Sequence, residues 1–304
     1  MGDHDPQWVH DQIFESSQIL PLKELVVRVI NCGTPSFRIG SLFNLRKICI
    51  ESPSLPPKFI DQLAILISQC PNLTHLEVGC RHTSIESLFR VINADNTKPP
   101  LSIEHLSLKE VEVTTSGLEL SLRHLKALKY LGLLENTPGS RGRGLYDNTD
   151  IWAILRREKI ILSTIFTDWL EPKGFGSYLQ AFRGLENLHV RPIPHTHISS
   201  LFQYVLPQHS ISLVELNIDT THSFVDHWQW PFDEASIREL SSFPNLQIFG
   251  VTFRHQLSYG QDSIAPESLV SGLSFYIPSF SGPRYLRKPY SNSALRTFPD
   301  YNGS

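Results

Sequence analysis

His75, Glu77 and His105 are residues whose types invite chemistry: two imidazoles and a carboxylate can hold a metal ion. His75 and Glu77 lie in "CPNLTHLEVGC" and His105 in "IEHLSL", and no third strong ligand accompanies the two histidines. They read as a surface pair, with no metal. "HTH", His195 to His197, is weaker still, because it falls in the loop after Val190. Cys32, Cys49, Cys70 and Cys80 are spaced too widely and irregularly for a zinc cluster, and they are too few for an extracellular staple framework. They read as reduced thiols that act as small hydrophobes. "TPGSRGRGLYDN", Thr137 to Asn148, carries Gly139, Gly142 and Gly144, which raises phosphate binding. It lacks both the Lys-Ser/Thr of a P-loop and the glycine order of a dinucleotide fold, so it reads as a loop offering Arg141 and Arg143 to an acidic partner. There is no Gly-x-Ser-x-Gly, no His-Glu-x-x-His and no kinase motif set. The reading is a non-enzyme without a cofactor; a hydrolase with no recognisable motif is the outside alternative.

Composition narrows the partners. The chain has 304 residues, is 40% hydrophobic and has a formal charge of −3. No apolar run approaches the roughly 18 to 20 residues of a membrane span, and "MGDHDPQWVH" lacks the regions of a secretory signal. The expected address is intracellular, cytoplasmic or nuclear. A pI near 6.5 argues against nucleic acid and against a polybasic membrane anchor, which leaves a protein partner.

The elements that position these residues come from a repeat. In "CPNLTHLEVGC" the apolar residues Leu73, Leu76 and Val78 fit neither a helix nor an isolated strand. The same spacing recurs in "LKELVV" from Leu22, "LRKICI" from Leu45, "IEHLSL" from Ile103, "LKYLGL" from Leu128, "LENLHV" from Leu185, "LVELNI" from Leu213 and "LQIFGV" from Leu246. "LSTIFT" from Leu162 and "VSGLSF" from Val270 are weaker copies. Successive first positions are 23, 28, 30, 25, 57, 28 and 33 apart, and Leu162 divides the longest step. This brackets the roughly 20 to 29 residue period of leucine-rich repeats.

Helical apolar spacing marks the segments between: "KFIDQLAILISQ", "SIESLFRVIN", "TDIWAILRRE", "SYLQAFRG", "ISSLFQYVL" and "EASIRELSSF". Thr149 or Asp150 and Asp233 are placed to cap two of them. Strand, loop and helix repeated at this period predict an α/β solenoid, a horseshoe with a parallel β-sheet on the concave face and helices on the convex face. The expected organisation is an N-terminal tail or cap over 1–17, about nine or ten irregular repeats over 18–277, and a C-terminal extension over 278–304 that is rich in Pro, Ser and Gly.

On "CPNLTHLEV" and "FPNLQIFGV" the chain resembles leucine-rich repeat proteins of the ribonuclease-inhibitor-like kind, and most closely the irregular repeat region of fungal F-box proteins. The resemblance covers roughly 18–277. It departs at the ninth position, where the usual Asn or Cys stands cleanly only as Asn136, Cys80 being one place early. "LPLKELVVRVI", Leu20 to Ile30, fits a first repeat better than an F-box, since Glu24 is one place late and no Trp-containing helix follows. The resemblance implies substrate recognition in an F-box type ubiquitin ligase whose cullin-adaptor module is missing, degenerate or supplied by another protein. A free-standing repeat scaffold is the alternative.

In an LxxLxL strand the Leu positions face the core and the intervening positions face outward. The third positions read Glu24, Lys47, His75, His105, Tyr130, Thr164, Asn187, Glu215 and Ile248; the fifth read Val26, Cys49, Glu77, Ser107, Gly132, Phe166, His189, Asn217 and Gly250. The expected partner-binding residues on this concave face are His75, Glu77, His105, Tyr130, His189, Glu215 and Asn217. An alternative patch is the aromatic loop carrying Trp228, Trp230 and Phe232. Leu25, Leu76, Leu106, Leu131, Leu188 and Leu216 are expected to stack in the core. His105, facing outward, is expected to contribute little to stability.

Overall fold

Each repeat motif alternates an apolar side chain with a polar or small one, which suits a strand buried on one face only. The computed structural model describes residues 22–28, 42–54, 57–94, 98–134, 151–168, 172–190, 201–219, 239–254 and 270–276. Ten strands lie in one sheet: β1 (Glu24–Arg28), β2 (Lys47–Ser54), β3 (His75–Ser84), β4 (His105–Glu112), β5 (Tyr130–Leu134), β6 (Thr164–Thr167), β7 (Asn187–Val190), β8 (Glu215–Asp219), β9 (Ile248–Arg254) and β10 (Val270–Tyr276). Their order in space is their order in sequence. Strands β1 to β9 run parallel. Parallel neighbours need a crossover, and helices supply several of these: Pro57–Ser68, Ile85–Ile92, Thr115–Ser121, Ile151–Arg157 and Pro172–Ala181. The architecture is α/β and compatible with an α/β solenoid.

One backbone contact recurs at every parallel junction. The carbonyl of the residue just before a strand accepts two N–H groups from the start of the next strand; Arg46 O, for example, receives Thr74 N–H at 3.0 Å and His75 N–H at 2.9 Å. Lys23, Thr74, Glu104, Lys129, Ser163, Glu186 and Val214 do the same. A carbonyl has two lone pairs, so the junction saturates it and fixes the register.

The register then stacks like positions. Leu76 pairs with Leu106, Leu106 with Leu131, Leu131 with Ile165, Ile165 with Leu188 and Leu188 with Leu216. All are buried in one continuous core with helix residues such as Leu63, Phe89 and Trp152. Leu25 is only half-buried, because β1 ends the described sheet and has one strand neighbour.

Three details depart from the expected pattern. Strand β10 runs antiparallel to β9, pairing Val270 with Arg254 and Tyr276 with Ile248, so "VSGLSF" is no parallel repeat. "ISSLFQYVL" gives a π-helical turn, Leu201–Val205, and a 3-10 turn, Leu206–His209, instead of an α-helix. Pro207 lacks the N–H that an α-helix needs there, and its ring clashes with a preceding carbonyl. The helix Thr115–Ser121 has no counterpart among the expected helical segments; Thr114 caps it by accepting the Gly117 N–H at 3.1 Å. Ser84 likewise caps Ile85–Ile92 through the Ser87 N–H. The expected caps Thr149, Asp150 and Asp233 lie outside the described residues, as do Cys32, Asn136, 1–17 and 278–304.

Buried polar side chains tie the helical layer of one repeat to the turn that opens the preceding strand. His124 accepts the Leu101 N–H on Nδ1 at 2.9 Å and reaches Asn93 Oδ1 through Nε2 at 2.9 Å. His209 accepts the Leu185 N–H on Nδ1 at 3.3 Å and contacts Leu179 O through Nε2 at 3.1 Å. Tyr178 Oη accepts the Leu162 N–H at 3.1 Å and donates to Ile160 O at 2.8 Å. Cys70 Sγ occupies the comparable place between β2 and β3, donating weakly to Leu42 O at 3.9 Å. Turns that carry buried backbone polar groups need such partners, since an unsatisfied group costs about 1–3 kcal/mol.

Leu106→Ala removes a side chain 1% exposed at mid-sheet and is expected to cost about 2–5 kcal/mol as a cavity substitution. Glu112→Ala, at an exposed position on the same strand, is expected to stay within about 0.5 kcal/mol. Urea unfolding of both variants checks this, and equal losses would contradict the register.

Candidate functional site

The sheet face opposite the helices is where the repeat displays its polar positions. The third-position row pairs from Glu24 through Lys47, His75, His105, Tyr130, Thr164, Asn187 and Glu215 to Ile248. The fifth-position row pairs from Val26 to Gly250 in the same way. The side chains gather into two clusters.

The first spans β2 to β5. The His75 and His105 rings stack with centroids 4.6 Å apart and planes 14° from parallel. His105 stacks on Tyr130 at 3.7 Å and 7°. Three flat rings on three adjacent strands thus form one column, and it lies at strand spacing because the register places them side by side. Glu77 Oε1 lies 3.5 Å from His105 Nε2 and 3.8 Å from Lys47 Nζ. Burial and the neighbouring His75 lower the His105 pKa to about 4, against the opposing pull of Glu77, so the imidazole is neutral at pH 7. Burial, with Glu77 beside it, raises the Tyr130 pKa, so its hydroxyl keeps its proton. Cys49 Sγ donates to Glu77 Oε2 at 3.5 Å; burial and that carboxylate push the thiol up to about 11, far from the thiolate a nucleophile requires.

Gly132 makes the column possible at its Tyr130 end. A Cβ there would stand 2.8 Å from Ser107 Oγ and 3.3 Å from Tyr130 Cε1, so any side chain would displace the ring or the hydroxyl. Beside the column, Arg28, Glu51 and Lys109 form a charge ladder, with contacts of 3.6 Å and 3.4 Å. Glu51 and Lys109 reach each other across β3 because Gly79 sits between them in register.

The second cluster spans β6 to β8. His189 Nε2 lies 3.1 Å from Glu215 Oε1, and Asn217 Nδ2 donates to Glu215 Oε1 at 2.7 Å while lying 3.1 Å from His189 Nε2. The Phe166 ring meets His189 edge-on at 5.1 Å. Asn187 Nδ2 donates to Thr164 Oγ1 at 3.1 Å. Gly250 leaves space for Asn217, whose Oδ1 would stand 1.8 Å from a Cβ at that position.

The seven residues singled out from sequence therefore fall into two groups: His75, Glu77, His105 and Tyr130 in one, His189, Glu215 and Asn217 in the other. Phe166 and Lys47 belong to these groups as well; both stood in the outward rows but carried no signal beyond their register. Trp228, Trp230 and Phe232 lie outside the described residues, as do Thr137 to Asn148 and His195 to His197. One expectation is corrected: His105 is not a dispensable outward side chain, because its two ring faces are covered by His75 and Tyr130. Ring stacking also bears on metal binding. Imidazole lone pairs lie in the ring plane, so near-parallel stacked rings do not aim them at one ion, and among the described residues no group of three ligating side chains could hold a metal.

A shallow groove lined by Phe43, Gln69, Pro71, Lys98, Pro99 and Leu101 lies at the edge where strands begin, away from both clusters. Among the described residues no helix is long and apolar enough to cross a membrane. A scan against protein-family models finds no match, and a search of curated proteins returns none.

His105→Ala removes two stacked contacts of about 0.5–1.5 kcal/mol each and is expected to cost about 1–3 kcal/mol. His105→Phe keeps the ring and is expected to recover most of that. Urea midpoints of the two variants check the stack, and an alanine variant as stable as the parent would refute it.

Proposed function

We propose that the chain is a leucine-rich repeat solenoid of the horseshoe kind that binds a protein partner on its open sheet face. The observation that supports this most is the display itself. A rigid register holds an aromatic column centred on the neutral His105 ring, and a second cluster of Phe166, His189, Glu215 and Asn217, on the sheet face that the described helices leave uncovered. Flat rings supply contact area at little entropic cost, and polar neighbours set specificity, as at protein interfaces generally. Among the described residues no compact cleft encloses either cluster to exclude water from a reacting group, so recognition is a better reading than catalysis.

The ligase role rests on the sequence motifs alone: in this reading the repeats hold a substrate, and an adaptor-binding module is supplied elsewhere. Affinity capture with mass spectrometry, using the full chain, distinguishes the two forms of the proposal; a cullin adaptor among the recovered proteins supports the ligase, and its absence supports a free-standing scaffold.

Phe166→Ala together with His189→Ala is expected to weaken binding of the captured partner by about 1–2 kcal/mol or more, measured under conditions where urea unfolding shows the variant still folded. Binding that survives this pair but disappears on changing Trp228 and Trp230 would move the site to the aromatic loop.

A further inference from the structure

The two clusters of the open face each straddle a junction closed by a buried histidine. His124 lies between β4 and β5 and binds the turn that opens β4, so it secures the pair of strands that carry His105 and Tyr130. His209 lies between β7 and β8 and binds the turn that opens β7, securing the strands that carry His189, Glu215 and Asn217. Both imidazoles are 2% exposed.

Their hydrogen bonds define one tautomer. A backbone N–H donates to Nδ1 in each case, so Nδ1 carries no proton and Nε2–H donates onward, to Asn93 Oδ1 or to Leu179 O. A second proton has only Nδ1 to occupy. It would then confront the Leu101 or Leu185 N–H, donor against donor, and leave that buried amide without an acceptor.

We propose that His124 and His209 form an acid-operated latch, which holds the β4–β5 and β7–β8 junctions while the rings are neutral and releases them on protonation, separating the parts of both face clusters. Its bearing on binding rests on reading that face as the recognition surface; the latch itself does not.

The surroundings favour the neutral ring. Burial lowers the His124 pKa to about 4, and the adjacent Arg123 opposes the charge further. Lys98 lines the same recess, and the Phe89 ring lies 5.6 Å away. Burial also lowers the His209 pKa, against the contrary pull of the Leu179 carbonyl. Among the described residues no carboxylate acts on either ring. With a folded pKa below the unfolded value of about 6.5, the unfolded chain binds more protons in between. For His124 stability is therefore fully present above about pH 6.5 and falls as the pH drops toward 4, and His209 contributes with the same sign. For His124 the linkage corresponds to about a 30-fold rise in the unfolding equilibrium constant at pH 5.

Urea unfolding of the full chain at pH 7.5 and pH 5 tests this, comparing the parent with His124→Gln, which keeps an acceptor and a donor but cannot take the proton. The parent's equilibrium constant is expected to rise about 30-fold more than the variant's between the two pH values. An equal rise in both overturns the latch. Should the variant fail to fold, the parent's ring signals decide the matter by NMR. His124 is expected to remain a neutral Nε2–H tautomer at pH 5.5, whereas either ring gaining its proton near 6.5 with the native spectrum intact overturns the proposal. Both measurements are made without a partner, so a failure of the recognition reading leaves their result standing.

Discussion

The doubly accepting carbonyl before each strand is the contact on which the rest of this molecule depends. It fixes where one repeat starts relative to the next, and it recurs from the β1–β2 junction to the β8–β9 junction. A shift by one residue would exchange the buried row for the outward row, since side chains alternate across a strand. Core and face are therefore two consequences of one register. The same contact that stacks Leu106 on Leu131 places His105 on Tyr130.

A single repeat cannot bury its apolar stripe, so neighbours supply the missing wall and the array is stable only as a stack. The open face inherits that rigidity. Its columns are held at strand spacing by backbone bonds, and glycines at 79, 132 and 250 provide the clearance that lets neighbouring side chains meet. Stacked rings with a neutral imidazole at their centre give a surface that presents flat apolar area and little net charge. Charges on the β1–β4 side are largely paired among themselves, through the Arg28, Glu51 and Lys109 ladder and the Lys47–Glu77 contact.

The helical layer has a different problem. Its turns carry backbone groups buried against the next repeat, and these are satisfied by His124, Tyr178 and His209, with Cys70 in a weaker version. Chemically unlike side chains do the same job because the requirement is only for a buried polar atom facing the turn: His124, Tyr178 and His209 accept from its N–H, and Cys70 donates weakly to its carbonyl. The choice of side chain then decides how the junction responds to acid. Burial drives the Tyr178 pKa further upward, so its hydroxyl does not titrate in the range where the histidines would.

The repeat spacing by itself determined the strands, their parallel order through β9, the alternation of buried and outward rows and the membership of both rows. These follow from local periodicity, which a strand must obey wherever it packs. It did not determine the ring stacking, because sequence separates His75, His105 and Tyr130 by dozens of residues and says nothing of side-chain torsion. Nor did it reveal the roles of His124 and His209, which look like any polar residue between two strands until the turn that opens the preceding strand is brought against them. The reversal of β10 was also a tertiary outcome, since a single apolar strand motif carries no direction. What packing decides is which distant groups share an environment, and hence whether a histidine is a solvated side chain, a stacked ring or a buried acceptor.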